Sequence, residues 1–310
     1  MNKKAFFFID DVIWVFRDLT RQKPAKLFDN PFLALLKEAH DKYGMKVQLN
    51  LFYQTDLFYG NDIFTLSEMT DAYKKEWDDN SDWLKFGFHS RQEFPDYPYI
   101  NADYDHVYSD YKMIENEVIR FAGENIMAKA TTPHWRPISK EACLALRDCG
   151  IKLLSATYGK KIPYDGDASS LPYGHAGRLL CNRKEETAIF IRNTNDAAIA
   201  KSLCGYNHID EDQLAETEGT MSYITDEETG LKFKSLGSDP NGCLNLNDKA
   251  AVTAWFPTVS DPFYIYGTHE QYFYPDYFAY QEEYPEKVLL AAKYLSENGY
   301  EFIFSQDIIK

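Results

Sequence analysis

The sequence predicts an α/β fold in which parallel strands alternate with helices. Continuous apolar segments of strand length recur through the first half of the chain, and stretches of helical periodicity follow them. Polar residues able to do chemistry stand at the C-terminal ends of these strands, which is where parallel α/β folds place their active sites. Strands that alternate with helices pair in parallel, either in a barrel or in a doubly wound sheet.

Each predicted element follows from its local pattern. Strands are predicted at residues 5–9, 46–53, 84–88, 131–135 and 152–157, and the intervening helices at 31–42, 65–77, 104–121 and 139–149. Gly44 and Gly150 end two of these helices, and Ser139 is a suitable N-cap for the last one. The pattern resumes late in the chain with a strand at 263–266, a helix at 284–298 and a strand at 301–305.

The helical periodicity fades between residues 159 and 259. Glycine, asparagine and aspartate turns separate short apolar runs there, such as 187–191, and residues 223–233 have the pattern of a hairpin. We therefore expect one α/β domain over residues 1–310, with 159–259 as a β-rich insertion that forms a cap or wall of the site. The length is compatible with a single barrel.

The composition limits the partners of the chain. Its 310 residues carry a formal net charge of -15, with a pI near 4.9, so it repels nucleic acid and anionic membrane surfaces. Aromatic residues make up 16% of the chain, which indicates either a bulky core or, as the many tyrosines favour, a groove that stacks on a sugar or peptide. The five cysteines are scattered, and an acidic pair interrupts the apolar start too early for a signal peptide, so we expect reduced thiols in the cytoplasm.

The acidic pair Asp10-Asp11 follows the first predicted strand. Successive strand residues point to opposite faces, so two adjacent carboxylates cannot both face the core of a regular strand. A buried carboxylate also needs a partner, and a metal ion or a cationic neighbour would provide one. A turn or an N-cap is the alternative explanation of the pair.

His89 and Glu93 follow the third predicted strand at a spacing of four. A helical turn there would place both on one face, as two ligands of one ion must be. The start of a surface helix is the alternative. His134 borders the end of the fourth strand and could replace a missing ligand.

Two more candidates stand at the ends of later strands. Arg136, in His134-Trp135-Arg136-Pro137, could pair with Asp10 and keep it ionised. His269, which precedes Glu270 after the resumed strand, is a candidate general acid.

These segments resemble the motifs of the polysaccharide deacetylase superfamily, also called the NodB-homology or carbohydrate esterase family 4 fold. Phe8-Ile9-Asp10-Asp11 is similar to its T-F-D-D, His89-Ser90-Arg91-Gln92-Glu93 to its H-[ST]-x-x-H, Trp135-Arg136-Pro137 to its Arg-Pro segment, and His269 to its late histidine. The resemblance implies a distorted (β/α)₇ barrel. Glu93 stands where the family has its second metal histidine, and Val12 where it has a glycine.

By this resemblance the chain is a metal-dependent carbohydrate hydrolase, most simply a de-N-acetylase acting on an amino-sugar-containing substrate. Asp10 would be the general base, tuned by Arg136, and His269 would protonate the leaving amine. The ligands of zinc or a similar divalent ion would be Asp11, His89 and Glu93, with His134 as a possible substitute. The residues expected to bind substrate are Trp14, Trp135, Glu270 and Tyr272, and further aromatic residues near the mouth are Tyr53, Phe58, Tyr59, Phe273 and Tyr274.

Two other functions remain open. A glycosidase on a related barrel would use Asp10 or Asp11 as nucleophile and Glu270 or Glu93 as acid, and it would not need a metal. A non-catalytic carbohydrate-binding protein would have lost the full set of metal ligands, and Glu93 is the residue that favours this reading.

Overall fold

A computed structural model describes residues 3–55, 62–95, 97–159, 208–237, 239–277 and 279–309. Within these ranges the strands are β1 (Lys3–Val12), β2 (Val47–Phe52), β3 (Leu84–Ser90), β4 (Ala130–Thr131), β5 (Pro137–Ser139), β6 (Leu153–Leu154), β7 (Thr157–Gly159), β8 (Ile224–Thr225), β9 (Lys232–Phe233), β10 (Phe263–His269) and β11 (Tyr300–Phe302). The helices are α1 (Trp14–Gln22), α2 (Pro31–Tyr43), α3 (Lys74–Asp79), α4 (Tyr104–Phe121), α5 (Lys140–Asp148), α6 (Glu211–Ala215), α7 (Lys249–Trp255) and α8 (Tyr284–Glu297).

The strands form a mixed α/β fold around a parallel sheet. The order in the main sheet is β10-β1-β2-β3, with β11 also paired to β1, and all of these pairs are parallel. The second sheet has the order β4-β6-β9-β8, and only β8 runs antiparallel. Phe86 of β3 donates its backbone N–H to the Ile126 carbonyl and accepts from the Ala128 N–H, which connects β3 to the segment that precedes β4. The predicted parallel α/β architecture is therefore present.

The strongest sequence patterns correspond to the observed elements. The predicted helix at 104–121 has those bounds, and Ser139 caps α5 by accepting a hydrogen bond from the Ala142 N–H. The apolar residues Val47, Leu49 and Leu51 that predicted β2 are present in it, and every position of the strand is buried, including the intervening amides.

Four predicted elements, one helix and three strands, are shorter than expected. The strand predicted at 152–157 is interrupted after β6, and the one predicted at 301–305 ends at Phe302. Residues 65–77 form a 3-10 turn, Leu66–Glu68, and then α3, because the Arg120 guanidinium takes the carbonyls of Leu66 and Met69 that a continuous helix would use. The predicted strand at 131–135 ends at Thr131, because the chain turns and Trp135 has a φ of 62°.

The structure describes the second half of the predicted β-rich insertion, and this half is not rich in β-strands. Residues 208–259 contain α6, α7, three 3-10 turns and the predicted hairpin, whose strands β8 and β9 are two residues long each. The hairpin is part of the second sheet, because β9 pairs in parallel with β6. Residues 160–207, with the predicted run at 187–191, lie outside the described residues. Among the described helices, none has the length and apolar character to cross a membrane.

Helix α1 was not predicted, and its N-terminus explains why. The residue at its N-cap position is Ile13, which has no side-chain acceptor. The Glu270 carboxylate from the end of β10 takes this role instead: it accepts hydrogen bonds from the N–H groups of Ile13, Trp14 and Val15 at 2.7, 2.8 and 2.7 Å. An anionic acceptor at a helix N-terminus also interacts favourably with the helix dipole. Glu270 is fully buried, so it is a helix cap and not the substrate-binding residue that the sequence suggested.

We predict that Glu270→Gln destabilises the protein by about 2–3 kcal/mol, because an amide NH₂ would face a backbone N–H that now has a carboxylate acceptor. Urea unfolding of the metal-free protein measures this free energy. The matched control is Glu282→Gln on the surface, which should change the stability by less than about 0.5 kcal/mol. Equal stabilities of the two variants would contradict the assignment of Glu270 as the cap of α1.

Candidate metal centre

The acidic pair at the end of β1 lies in a β-bulge. Ile9 of β1 pairs with Leu49 of β2, and Val12 pairs with Leu51. The two residues Asp10 and Asp11 therefore lie opposite the single residue Asn50. Asp11 has a φ of 61°, in the left-handed region that aspartate tolerates better than most residues. A bulge breaks the strict alternation of a strand, so both carboxylates can be buried at this end of the sheet.

The His89 ring is held in one tautomer by a backbone carbonyl. A second bulge lies at the end of β3. Phe88 and Ser90 pair with consecutive residues of β2, and His89 is the unpaired residue between them. Its Nδ1 lies 2.6 Å from the carbonyl oxygen of Thr132, which can only accept, so Nδ1 carries a proton. In the neutral ring Nε2 therefore has a lone pair, and this atom lies 3.2 Å from Oδ1 of Asp11.

The His134 ring is held in the same way. Its Nε2 lies 3.0 Å from the backbone carbonyl oxygen of Glu93, so in the neutral ring Nδ1 has the lone pair. Nδ1 lies 3.1 Å from Nε2 of His89 and 3.6 Å from Oδ1 of Asp11. The backbone N–H of His134 donates to the carbonyl oxygen of His89, which holds the two histidines side by side.

Three acceptor atoms thus converge on one buried point. Asp11, His89 and His134 are at most 5% exposed, and Oδ1 of Asp11 has no hydrogen-bond partner within the described part of the chain. Two imidazole lone pairs and a carboxylate oxygen repel one another at these distances unless a cation lies between them.

The donor set fits a divalent metal. In a tetrahedral site with ligand bonds of roughly 2.0–2.1 Å, the ligand atoms lie about 3.3–3.4 Å apart, and the three observed separations are 3.1, 3.2 and 3.6 Å. Two imidazoles and one carboxylate are a ligand set that zinc accepts, with a position left for water or substrate. Both rings are also oriented through their other nitrogen, as is usual for metal-binding histidines.

Asp10 lies beside this cluster and is held by an amide. Its Oδ1 accepts a hydrogen bond of 2.6 Å from Nδ2 of Asn50. Burial raises the pKa of Asp10, while His89, His269 and the Asn50 amide act in the opposite direction. A carboxylate with a raised pKa is a stronger base than a solvated one.

His269 approaches the cluster from β10. Its Nδ1 donates to Oδ1 of Asn245 at 3.1 Å, and its Nε2 lies 3.9 Å from Oδ2 of Asp11. Burial alone would lower the pKa of His269, but the Asp11 carboxylate and the Cys243 thiol raise it above its ordinary value. The His269 side chain is 34% exposed, so it lies at the border between the buried cluster and solvent.

Other residues expected at the site have different contacts. The Arg136 guanidinium donates to Glu211 at 2.8 Å, so the Asp10 pair expected for it is not formed. The helical turn predicted at 89–93 is absent, because β3 continues to Ser90. As a result Glu93 does not join the three converging atoms: its backbone carbonyl holds His134, and its Oε1 lies 3.7 Å from Nε2 of that ring.

The expected aromatic residues surround the cluster at different distances. Trp14 is buried and lines a pocket beside Asp11 together with Phe52, Gln54 and Thr55. The partly exposed rings of Trp135 and Tyr272 pack near His134 and His269, with centroid separations of 5.9 and 6.3 Å. Phe58 and Tyr59 lie outside the described residues.

Several residues of the site were not anticipated. They are Asn50, which holds Asp10, Gln271, whose Nε2 donates to Oδ2 of Asp11 at 2.8 Å, Asn245, which holds His269, and Thr132, which holds His89. None of the four had a clear signal, because β2 alternates apolar and polar residues and Asn50 therefore reads as a residue on the polar face of a half-buried strand.

Comparisons with known proteins were made for sequence and for structure. No protein-family model and no curated protein sequence matches the chain. A 4-alpha-glucanotransferase from Thermococcus litoralis has a similar fold, with 11% identity, a TM-score of 0.50, and coverage of 100% of this chain and 40% of that one. This chain thus spans well under half the length of the glucanotransferase.

Several of the other similar structures are family 4 carbohydrate esterases or polysaccharide deacetylases. A family 4 acetyl xylan esterase from Clostridium thermocellum, in complex with a cobalt ion, has 11% identity and a TM-score of 0.39, over 99% of this chain and 90% of that one. A polysaccharide deacetylase from Bacillus cereus has 12% identity and a TM-score of 0.39, over 97% and 91%.

The ligand set can be tested by substitution. We predict that His134→Ala abolishes stoichiometric binding of Co²⁺ or Zn²⁺, because it removes one of three converging lone pairs. Glu93→Gln keeps the backbone carbonyl that holds His134, so it should bind the metal stoichiometrically with a loss in affinity of no more than about 10–100-fold. His106→Ala, at an exposed histidine paired with Asp110, is the control. Loss of the metal in Glu93→Gln with retention in His134→Ala would reverse the assignment.

Metal affinity should fall as the pH is lowered. Burial alone would lower the pKa of His89, but the Asp10 and Asp11 carboxylates raise it above the ordinary value. The metal-free site therefore retains this proton to a higher pH than an ordinary histidine would, and an incoming metal must displace it. We expect Co²⁺ to bind more weakly at about pH 6 than at about pH 8, with proton release detected by calorimetry in buffers of different ionisation enthalpy. An affinity independent of pH in this range would contradict this account.

Proposed function

We propose that this chain is a metal-dependent carbohydrate hydrolase, most simply a de-N-acetylase of an amino-sugar-containing substrate, built on a distorted (β/α)₇ barrel. The observation that supports this best is the convergence of three lone pairs from Asp11, His89 and His134, with a base and an acid beside them. Asp10 is the adjacent residue in the same bulge, and His269 faces Asp11 from the neighbouring strand.

The residues of this site are suited to amide hydrolysis. A bound divalent ion such as zinc would polarise the amide carbonyl and lower the pKa of a bound water. Asp10 takes a proton from the attacking water, and its burial makes it a stronger base. Nε2 of His269 gives a proton to the nitrogen as the C–N bond breaks, which releases acetate and a free amine. The Asn245 acceptor keeps the His269 ring in the orientation that this transfer needs.

The surroundings are compatible with a sugar. Trp135 packs against Tyr97, and Tyr272 packs against Tyr277, so each ring is held rigidly while part of it remains accessible. Rigid aromatic faces beside polar side chains are common in carbohydrate sites, because a sugar ring has an apolar face and a polar rim.

The other two functions have less support. A glycosidase needs two available carboxyl groups, yet Glu270 caps α1 and the Glu93 carboxylate packs beside His134. A binding protein without a complete metal site was suggested by the Glu93 substitution. His134 removes the reason for that suggestion, because it offers the third donor atom.

We predict that the Co²⁺- or Zn²⁺-loaded protein releases acetate from N-acetylated chitooligosaccharides and that a chelator abolishes the activity. Asp10→Asn should lower kcat by about 10²–10⁴-fold while metal binding persists, because only the base is lost. Asp11→Asn should lose both metal and activity. Full activity in the presence of a chelator, or in Asp10→Asn, would refute the proposed function.

A further inference from the structure

Strand β2 contains two amide side chains where apolar residues would be expected. Gln48 and Asn50 are two positions apart, so they lie on the same face of the strand, and each is 1% exposed. Every residue of β2 is buried, and buried positions of a parallel sheet are usually aliphatic.

The two amides form a directed chain of hydrogen bonds that ends at Asp10. Nε2 of Gln48 donates to the carbonyl oxygen of Ala130 at 3.0 Å and to Oδ1 of Asn50 at 2.8 Å. Nδ2 of Asn50 then donates to Oδ1 of Asp10 at 2.6 Å. These side chains, together with the Ala130 carbonyl, are called the amide relay below.

The direction of the amide relay is fixed at its far end. A backbone carbonyl can only accept, so Gln48 must turn its NH₂ group toward Ala130 and, with the second hydrogen, toward Asn50. Asn50 must then present its oxygen to Gln48, which leaves its own NH₂ group for Asp10. An isolated asparagine could flip its amide, but one held by Gln48 cannot do so without losing a hydrogen bond.

The neighbouring strand leaves space for the amide relay. A Cβ atom at Gly87 of β3 would lie 2.3 Å from Oδ1 of Asn50 and 2.6 Å from Nε2 of Gln48. Both separations are far inside van der Waals contact, so any other residue at position 87 would displace the two amides.

Stability alone does not account for these residues. Oε1 of Gln48 is buried and accepts no hydrogen bond from the described residues, and an unsatisfied buried acceptor is unfavourable. Aliphatic side chains and a larger residue than Gly87 would fill the same space without this cost.

We propose that the amide relay positions the Asp10 carboxylate for catalysis, with Gln48 and Asn50 as positioning residues of the reaction; this inference rests on the function proposed above. The relay supplies the donor that Arg136 does not, since Arg136 is paired with Glu211. It holds one oxygen of Asp10 with a neutral donor and so orients the carboxylate beside Asp11 without adding a charge.

The sharpest test changes the residue that does not touch Asp10. Gln48→Glu replaces the donor NH₂ with an oxygen, so Asn50 should flip its amide toward the introduced carboxyl group and turn its own oxygen to Asp10. We expect kcat for acetate release to fall at least tenfold, as in Asn50→Leu, with KM and the Co²⁺ absorption spectrum unchanged. Gly87→Ala should have the same effect by displacing both amides.

A matched control separates positioning from general destabilisation. Asn30 is also a buried asparagine, but it caps α2 by accepting from the N–H groups of Phe32 and Leu33. Asn30→Ala should lower the urea midpoint with kcat within twofold of the parent protein. If Gln48→Glu and Asn50→Leu also keep kcat within twofold, the amide relay has no role in positioning and the proposal is overturned.

A second measurement does not depend on turnover. If the parent protein binds metal but releases no acetate, the proposed function fails, and the relay is then judged by unfolding of Asp10→Ala, Asn50→Leu and the double variant. Non-additive shifts of the urea midpoint are expected if Asn50 and Asp10 are hydrogen-bonded. Additive shifts would overturn the amide relay itself, whatever the activity of the protein.

Discussion

The site depends on one backbone irregularity, the bulge that carries Asp10 and Asp11. A regular strand would send these two carboxylates to opposite faces, and a left-handed φ at a residue other than glycine is itself unfavourable, by about 1 kcal/mol or more. The surroundings hold this conformation from both sides. Asn50 donates to Asp10 from β2, and Gln271, which follows β10, donates to Asp11.

The segment that follows β10 connects the bulge to the rest of the fold. His269, Glu270 and Gln271 are consecutive, yet each contacts a different part of the site: the first faces Asp11, the second caps α1 directly after the bulge, and the third holds the far oxygen of Asp11. Because β10 ends at His269 and a 3-10 turn, Glu270–Phe273, follows, the three side chains diverge and one short segment supplies both chemistry and support. A shift of this segment would therefore disturb the candidate acid, a candidate metal ligand and α1 together.

The sequence allowed the long strands of the main sheet to be predicted, but not the ends of the short strands or which side chains meet at the site. Spacing suggested Glu93 as a ligand because a four-residue interval suits a helix, whereas the chain remains in β3 as far as Ser90. His134 reaches the cluster across a turn whose next two residues, Trp135 and Arg136, have positive φ, and no periodicity rule predicts such a turn. The cap of α1 was invisible for a related reason, since its acceptor lies more than 250 residues away in the sequence.

The buried polar groups of this interior are costly in stability, which bears on how the site should be interpreted. Two imidazole lone pairs face a carboxylate, the side-chain oxygen of Gln48 has no hydrogen-bond partner among the described residues, and the two amides restrict position 87 to glycine. A cation would relieve the first of these costs, and metal binding would then contribute to folding. It would not relieve the other two, since neither the Gln48 oxygen nor Gly87 is a ligand of the metal. That remaining cost is understandable if the orientation of Asp10 matters more to this protein than the last increment of stability.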